Sequence, residues 1–154
     1  MNYILIDTTT GENTNYNNIS IAKFLEDHLD QFRDKKEDIL KAIEYALNPN
    51  RGGFVLLGLE DKILVGAVVI NHTGMEGYIP SNILVYIAVH RDFRGKGIGR
   101  KLMQEVIPKT NGGIALHVEP NNPAKFLYEK LGFTNKYLEM RYQGQINEYE
   151  NGLR

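Results

Sequence analysis

The hexapeptide Arg94-Gly95-Lys96-Gly97-Ile98-Gly99 is the part of this chain whose residue types and spacing could do chemistry. Its alternating glycines remove side chains where a ligand's oxygens must come close to the backbone. The residues after it read as an amphipathic helix, Gly97 to Ile107, stopped at Pro108. Ile98, Leu102 and Val106, with Met103 and Ile107 beside them, form its apolar side. The first turn of a helix leaves N–H groups without partners, and the helix dipole is positive there. A glycine loop that opens such a helix is therefore an anion site, best suited to phosphate or pyrophosphate. Arg94, Lys96, Arg100 and Lys101 add positive charge around it. The loop is not a P-loop, because no Gly-Lys-Ser/Thr ending follows. It is not a dinucleotide fingerprint either, because Arg100 stands where glycine or alanine is needed.

A second constellation runs from Asn121 to Phe133. Asn122 can cap a helix, Pro123 suits its first position and Gly132 suits the position after its end. Ala124, Leu127, Tyr128 and Leu131 share one face. Tyr128 has two readings. It is a core tyrosine, or its hydroxyl points into a cleft as a proton donor.

The elements that must position these residues follow from periodicity. Tyr3 to Ile6 reads as a strand and Thr8 to Asn18 as a polar loop. Ile21, Phe24, Leu25, Leu29 and Phe32 recur at helical spacing, and a second helix spans Asp34 to Leu47. Phe54 to Leu59 and Ile63 to Ile70, separated by Glu60-Asp61-Lys62, suggest a hairpin. Ile83 to Val89 is apolar without interruption, as in a central strand covered on both faces. Ile114 to Val118 reads as a strand, Asn122 to Leu131 as a helix and Tyr137 to Tyr142 as a last strand. The tail from 143 to 154 is polar and is expected to fray. This order argues for one mixed sheet with helices on both faces.

Bulk properties narrow the classes. The length of 154 residues fits one domain, and 42% hydrophobic with 24% charged residues is globular. A net charge of −1 gives no general attraction to nucleic acid. The absence of cysteine excludes disulfides, thiolate metal sites and cysteine nucleophiles, and the histidines show no metal-ligand spacing, so no metal is expected. No apolar stretch approaches a membrane span, and the N-terminus does not read as a signal peptide. A cytoplasmic protein is the expectation.

Together the two constellations resemble the GCN5-related N-acetyltransferase (GNAT) superfamily. Arg94, Gly97 and Gly99 fill its acetyl-CoA motif, and Asn121, Ala124, Tyr128, Gly132 and Phe133 fill its second signature. The resemblance covers residues 53 to 142 well, within a single domain of residues 1 to 154. It implies an α/β fold with one mixed, mostly antiparallel sheet and a splayed central strand pair, in which the apolar strand Ile83 to Val89 carries a bulge. It implies acetyl-CoA as co-substrate. The backbone of Ile87, Ala88 and Val89 would meet the pantetheine arm, with the thioester carbonyl near the N–H of Ile87 or Ala88. The loop Arg94, Gly95, Lys96, Gly97, Ile98, Gly99 and Arg100 would hold the pyrophosphate, with Asn121 also at the cofactor and Tyr128 as general acid. The acceptor would be a small-molecule or peptide amine, and the chain could form a homodimer.

One departure stands out. Some relatives carry a glutamate near the start of the splayed strand as base, but Asn82-Ile83-Leu84-Val85-Tyr86 holds no carboxylate. Glu76, His117 and Glu119 are nearby in sequence, and a water chain could serve instead. Residues 26 to 38 are acid-rich, with Glu26, Asp27, Asp30, Asp34, Glu37 and Asp38; this reads first as a solvated helix face and leans only slightly toward a cationic amine acceptor. A non-catalytic acyl-CoA sensor and a nucleotide-binding module are the alternatives left open.

Overall fold

The β-rich middle of the chain builds the sheet. A computed structural model describes residues 1–144. Strands β2 (Gly53–Glu60) and β3 (Ile63–His72) form the expected hairpin. It closes through Asp61 and Lys62, both left-handed at φ 49° and 67°, the geometry that matches the right-handed twist of paired strands. Strand β1 (Asn2–Ile6) pairs antiparallel with β2, and β4 (Asn82–Val89) pairs antiparallel with β3. Strand β5 (Ile114–Leu116) joins β4 in parallel, so the order is β1-β2-β3-β4-β5 in one mixed sheet.

Alternation along the strands sends side chains to two cores. Helices α1 (Asn18–His28) and α2 (Lys36–Leu47) cover one face with Ile21, Leu25, Ile39 and Ile43, against Val55, Leu57, Ala67 and Val69. Helix α3 (Ile98–Lys109) covers the other with Ile98, Leu102, Met103 and Val106, against Leu56, Val68, Ile70 and Leu84. The last helix, α4 (Ala124–Lys130), is followed by Leu131 and Phe133, which pack against that second core.

Several elements differ from the reading of the sequence. The first helix ends at His28 rather than near Phe32, because Asp30 turns left-handed at φ 55° and a single 3-10 turn, Asp30–Phe32, follows. Pro108 lies inside the last turn of α3, where its missing N–H costs one bond at most. Strand β5 stops at Leu116. Tyr137 to Tyr142 is not a strand: its side chains are exposed and it pairs with no neighbour among the described residues. Its alternation suits a strand, but a strand needs a ladder, and β5 offers an edge only from Ile114 to Leu116. Most of the polar tail, from 145 on, lies outside the described residues.

Candidate active site

The centre of the site is a fault in β4. Val69 pairs with Tyr86 and Ile70 with Leu84, so Val85 is an extra residue, a β-bulge. Along a strand, backbone groups alternate between its two edges, and one extra residue reverses that alternation. Before the bulge, the Asn82 N–H donates to Gly113 O at 3.1 Å, toward β5. After it, the His90 N–H donates to Val65 O at 2.7 Å, toward β3. Tyr86 and Ala88 thus turn their backbone groups to β3, and Ile87 and Val89 turn theirs to the β5 side. There they meet no strand, because the β4–β5 ladder ends at Leu84–Leu116. The pair splays, as the resemblance implied, but with a correction: Ala88 faces β3, so Ile87 and the Val89 N–H present polar groups to the gap, while the Val89 carbonyl accepts from Arg94. The start of the pair is pinned by Asn82, which is 2% exposed and donates through Nδ2 to the carbonyls of Asn111 and Gly113 at 2.7 and 3.1 Å.

The glycine loop continues this edge. Gly95 and Gly97 are left-handed at φ 78° and 76°, which favours glycine. A side chain added at either would meet nothing within 4 Å, so the space in front of the loop is open. From Gly95 to Arg100 no backbone amide has a partner among the described residues; the first to donate is Lys101, to Gly97 O at 3.0 Å. Gly99 is where three elements meet, since a Cβ there would lie 3.4 Å from Leu127 of α4 and 3.7 Å from Val89 of β4.

Arg94 does something its motif position did not announce. Its guanidinium donates to His28 O (2.6 Å), Asp30 Oδ2 (2.6 Å) and Val89 O (3.2 Å). It ties the end of α1 to the end of β4. Arg91 joins it on Asp30 at 3.1 Å, and the two arginines hold that carboxyl below the usual range. His28 and His90 stack beside them, with ring centroids 4.2 Å apart. Burial, then the neighbouring His90 and Arg91, lower the pKa of His28. Lys96 lies over the Phe93 ring, 5.2 Å from its centroid, and Arg100 is exposed.

Tyr128 is set by the end of its own helix. Gly132 is left-handed at φ 98°; its N–H reaches Glu129 O at 3.1 Å, and the Phe133 N–H reaches Tyr128 O at 3.0 Å. This is a Schellman ending, and its hydrophobic contact is the Phe133 ring, 5.8 Å from that of Tyr128. At the other end Asn122 Oδ1 accepts the Ala124 N–H at 2.9 Å. Tyr128 is 6% exposed, and burial alone pushes its pKa up to about 12. Its hydroxyl has no hydrogen-bond partner among the described residues. It is not a sealed-off orphan either; of the described side-chain atoms, only Asn18 Oδ1 is that.

The remaining candidates scatter. Glu76, His117, Glu119 and Asn121 are exposed, and no group of three His, Asp or Glu among the described residues is placed to hold a metal ion. Reading the sequence missed Asp30, His28 and His90 around Arg94, and the hydrogen bond from the Tyr86 hydroxyl to Asp34.

The model of the acetyltransferase (GNAT) domain matches residues 50–135, more than half of the chain. The chain belongs to the GNAT acetyltransferase family. Solved structures agree on the fold. A ribosomal-protein-alanine N-acetyltransferase from Brucella melitensis biovar Abortus 2308 is 19% identical, with a TM-score of 0.64 over 94% of this chain and 100% of that one. An aminoglycoside N-acetyltransferase in complex with CoA is 15% identical, with a TM-score of 0.65 over 94% and 95%. A possible acetyltransferase from Clostridium difficile 630 is 20% identical, with a TM-score of 0.63 over 94% and 99%. Comparison with curated proteins returned no significant match.

Proposed function

We propose that this GNAT domain transfers an acetyl group from acetyl-CoA directly to a primary amine. One observation carries the reading. The bulge at Val85 turns Ile87 and Val89 to an open gap, and the unpartnered amides of Gly95 to Arg100 continue that edge. Such a line suits a ligand with peptide-like amides followed by a pyrophosphate. The open space in front of Gly95 and Gly97 is a second point of fit. An aminoglycoside relative of like fold holds CoA, which favours the same choice.

Acetyl-CoA supplies the activated acyl group as a thioester. The chain's own residues have separate tasks. The amides of Gly95 to Arg100 hold the pyrophosphate, with Lys96 and Arg100 adding charge. Arg94 holds the loop to α1 and β4, so its contribution to binding is indirect. The Ile87 N–H faces the gap and stabilises the oxyanion of the tetrahedral intermediate. Tyr128, neutral at working pH, donates a hydrogen bond to the departing sulfur. Leu127, the residue beside it, lies 3.4 Å from where a Cβ on Gly99 would stand, which supports a role for α4 at the same opening. The attacking amine must be neutral, and water takes its proton. Holding both reactants supplies most of the acceleration.

The acceptor is a small-molecule or peptide amine. One relative of like fold is named for a ribosomal-protein alanine and another is in complex with sisomicin, so both kinds are candidates. The test is release of CoA from acetyl-CoA with a panel of polyamines, amino sugars and peptide N-termini, together with acetyl-CoA binding by calorimetry. Binding without transfer to any amine would leave a non-catalytic acyl-CoA sensor; no binding would refute the site.

A further inference from the structure

The end of α1 meets the end of β4 through two histidines. His28 and His90 stack with ring centroids 4.2 Å apart, Phe24 lying against His28 and Phe93 against His90. Each ring accepts a backbone amide through Nδ1: His28 that of Arg91 at 3.1 Å, and His90 that of Asp92 at 3.1 Å. A ring nitrogen that accepts carries no proton, so both rings stand in their neutral form, protonated on Nε2.

The bond to Arg91 spans 63 residues. It joins the last residue of α1 to the 3-10 turn Arg91–Phe93, which leads into the glycine loop. The side chains of Arg91 and Arg94 reach the same region, at Asp27 O, His28 O and Asp30. Those bonds use guanidinium donors and a carboxyl that the two arginines hold low, so mild acid leaves them unchanged. The histidines respond differently, since their ordinary pKa lies near 6.5. A proton on His28 Nδ1 turns the acceptor into a donor facing the Arg91 N–H. The new charge also stands beside His90, Arg91 and Arg94, and the carboxylate that opposes it, Asp27, is already paired with Lys23 at 2.8 Å. On the His90 side, Asp92 contributes its N–H and Lys96 lies over Phe93. Burial, then His90 and Arg91, lower the pKa of His28 accordingly. A histidine with a folded pKa below its unfolded one favours the fold while neutral. That stability is present above about pH 6.5 and is lost as pH falls through the folded value.

We propose that the His28–His90 pair is an acid-sensitive latch: in mild acid a proton from solvent breaks the Arg91–His28 bond, releases the turn before the glycine loop from α1 and weakens acetyl-CoA binding. The last step rests on the cofactor reading; the release does not.

The test compares wild type with His28→Asn at each pH from about 8 to about 5. Asparagine carries Oδ1 where the imidazole carries Nδ1, so it accepts the Arg91 N–H and cannot titrate. Hydrogen exchange at the Arg91 amide and at Gly95 to Arg100 should rise in acid in the wild type relative to the variant at the same pH, a ratio that cancels the intrinsic pH dependence of exchange. Acetyl-CoA affinity, by calorimetry, should fall about three- to tenfold further in the wild type, as for loss of one hydrogen bond. The cofactor's phosphate monoester titrates at about pH 6, equally for both proteins. His90→Asn removes a charge beside His28, so its acid response should move to higher pH, which a purely structural role would not produce. His72→Gln, at the far end of β3, should respond as wild type. An equal acid response in wild type and His28→Asn, in exchange or in affinity, would overturn the latch, as would an unmoved midpoint in His90→Asn. If acetyl-CoA binds at no pH while the exchange difference persists, the cofactor reading fails and the release stands.

Discussion

Replacing Tyr128 with phenylalanine removes one oxygen whose surroundings set the expected loss. The hydroxyl bonds to no described residue, so its removal strands no partner, and stability should hold within about 0.5 kcal/mol. Catalysis should not hold. A thiol has an ordinary pKa of about 8.5, whereas burial sets Tyr128 at about 12. Complete transfer of its proton to free thiolate is then uphill by about 5 kcal/mol. What Tyr128 can give is a hydrogen bond to the charge growing on sulfur, worth roughly 1.5–3 kcal/mol. Tyr128→Phe should therefore lower kcat by about 10- to 150-fold, short of the ~10⁴ upper range for general acids. Acetyl-CoA affinity, measured by calorimetry, should change little. A thioester of a more acidic thiol builds less charge on sulfur and should show a smaller loss. Turnover within twofold of wild type would make Tyr128 a core residue. An equal loss with both thioesters would mean that its hydroxyl acts elsewhere.

Three other perturbations follow from the same geometry. Gly97→Asp places a carboxylate in the open space before the free amides; calorimetry should show acetyl-CoA affinity falling by at least about a hundredfold while circular dichroism still reports the fold. Because Tyr128 keeps its proton when folded up to about pH 12 and loses it near 10 when unfolded, folding stability from this group is present below pH 10 and is lost as pH rises to 12. Denaturant titrations across that window should show the wild type losing more stability than Tyr128→Phe, by a few kcal/mol at most. With water as base, the acceptor-dependent rate should climb with pH toward the amine's own pKa, about 10.4 for an alkylamine; an inflection that stays fixed when the acceptor changes, and vanishes in Glu76→Gln or Glu119→Gln, would identify a protein base instead.

What could be read from the sequence was local, and what could not depended on contacts between distant segments. The glycine loop, the capped helix around Tyr128 and the β2–β3 hairpin each carry their own turn chemistry within a dozen residues. The resemblance implied a bulge in this strand, but no residue type marks its position, because Val85 is as apolar as its neighbours; the register against β3 gives that position. Its consequence, that Ala88 faces β3 while Ile87 and Val89 face the gap, was illegible for the same reason. Asp30 and His28 O lie 64 and 66 residues from Arg94, so no local pattern announced these bonds. Tyr137 to Tyr142 had the right alternation and lacked a partner, which one-dimensional periodicity cannot detect.

Arg94 offers the sharpest test of that lesson, since its motif position and its contacts predict different behaviour. As a direct phosphate ligand it would contribute a charge that lysine keeps as a point charge, though without the bidentate fork. As a clamp it uses the shape of the guanidinium, three donors aimed at three acceptors on α1, the following turn and β4. Lysine cannot reproduce that fork. Arg94→Lys should then free the Val89 carbonyl and loosen the loop from the end of α1. Acetyl-CoA affinity should fall about tenfold, as for loss of one hydrogen bond to a charged group. The salt dependence of binding should stay that of the wild type, because no phosphate contact has been lost. Hydrogen exchange should rise both at His28 to Phe32 and at Gly95 to Arg100, because the clamp joins the two. Asp30→Asn should reproduce the exchange pattern without altering any residue of the glycine loop. If Arg94→Lys binds acetyl-CoA as well as wild type, or if Arg94→Ala flattens the salt dependence while exchange at the end of α1 is unchanged, the side chain belongs to the phosphates and the clamp is incidental.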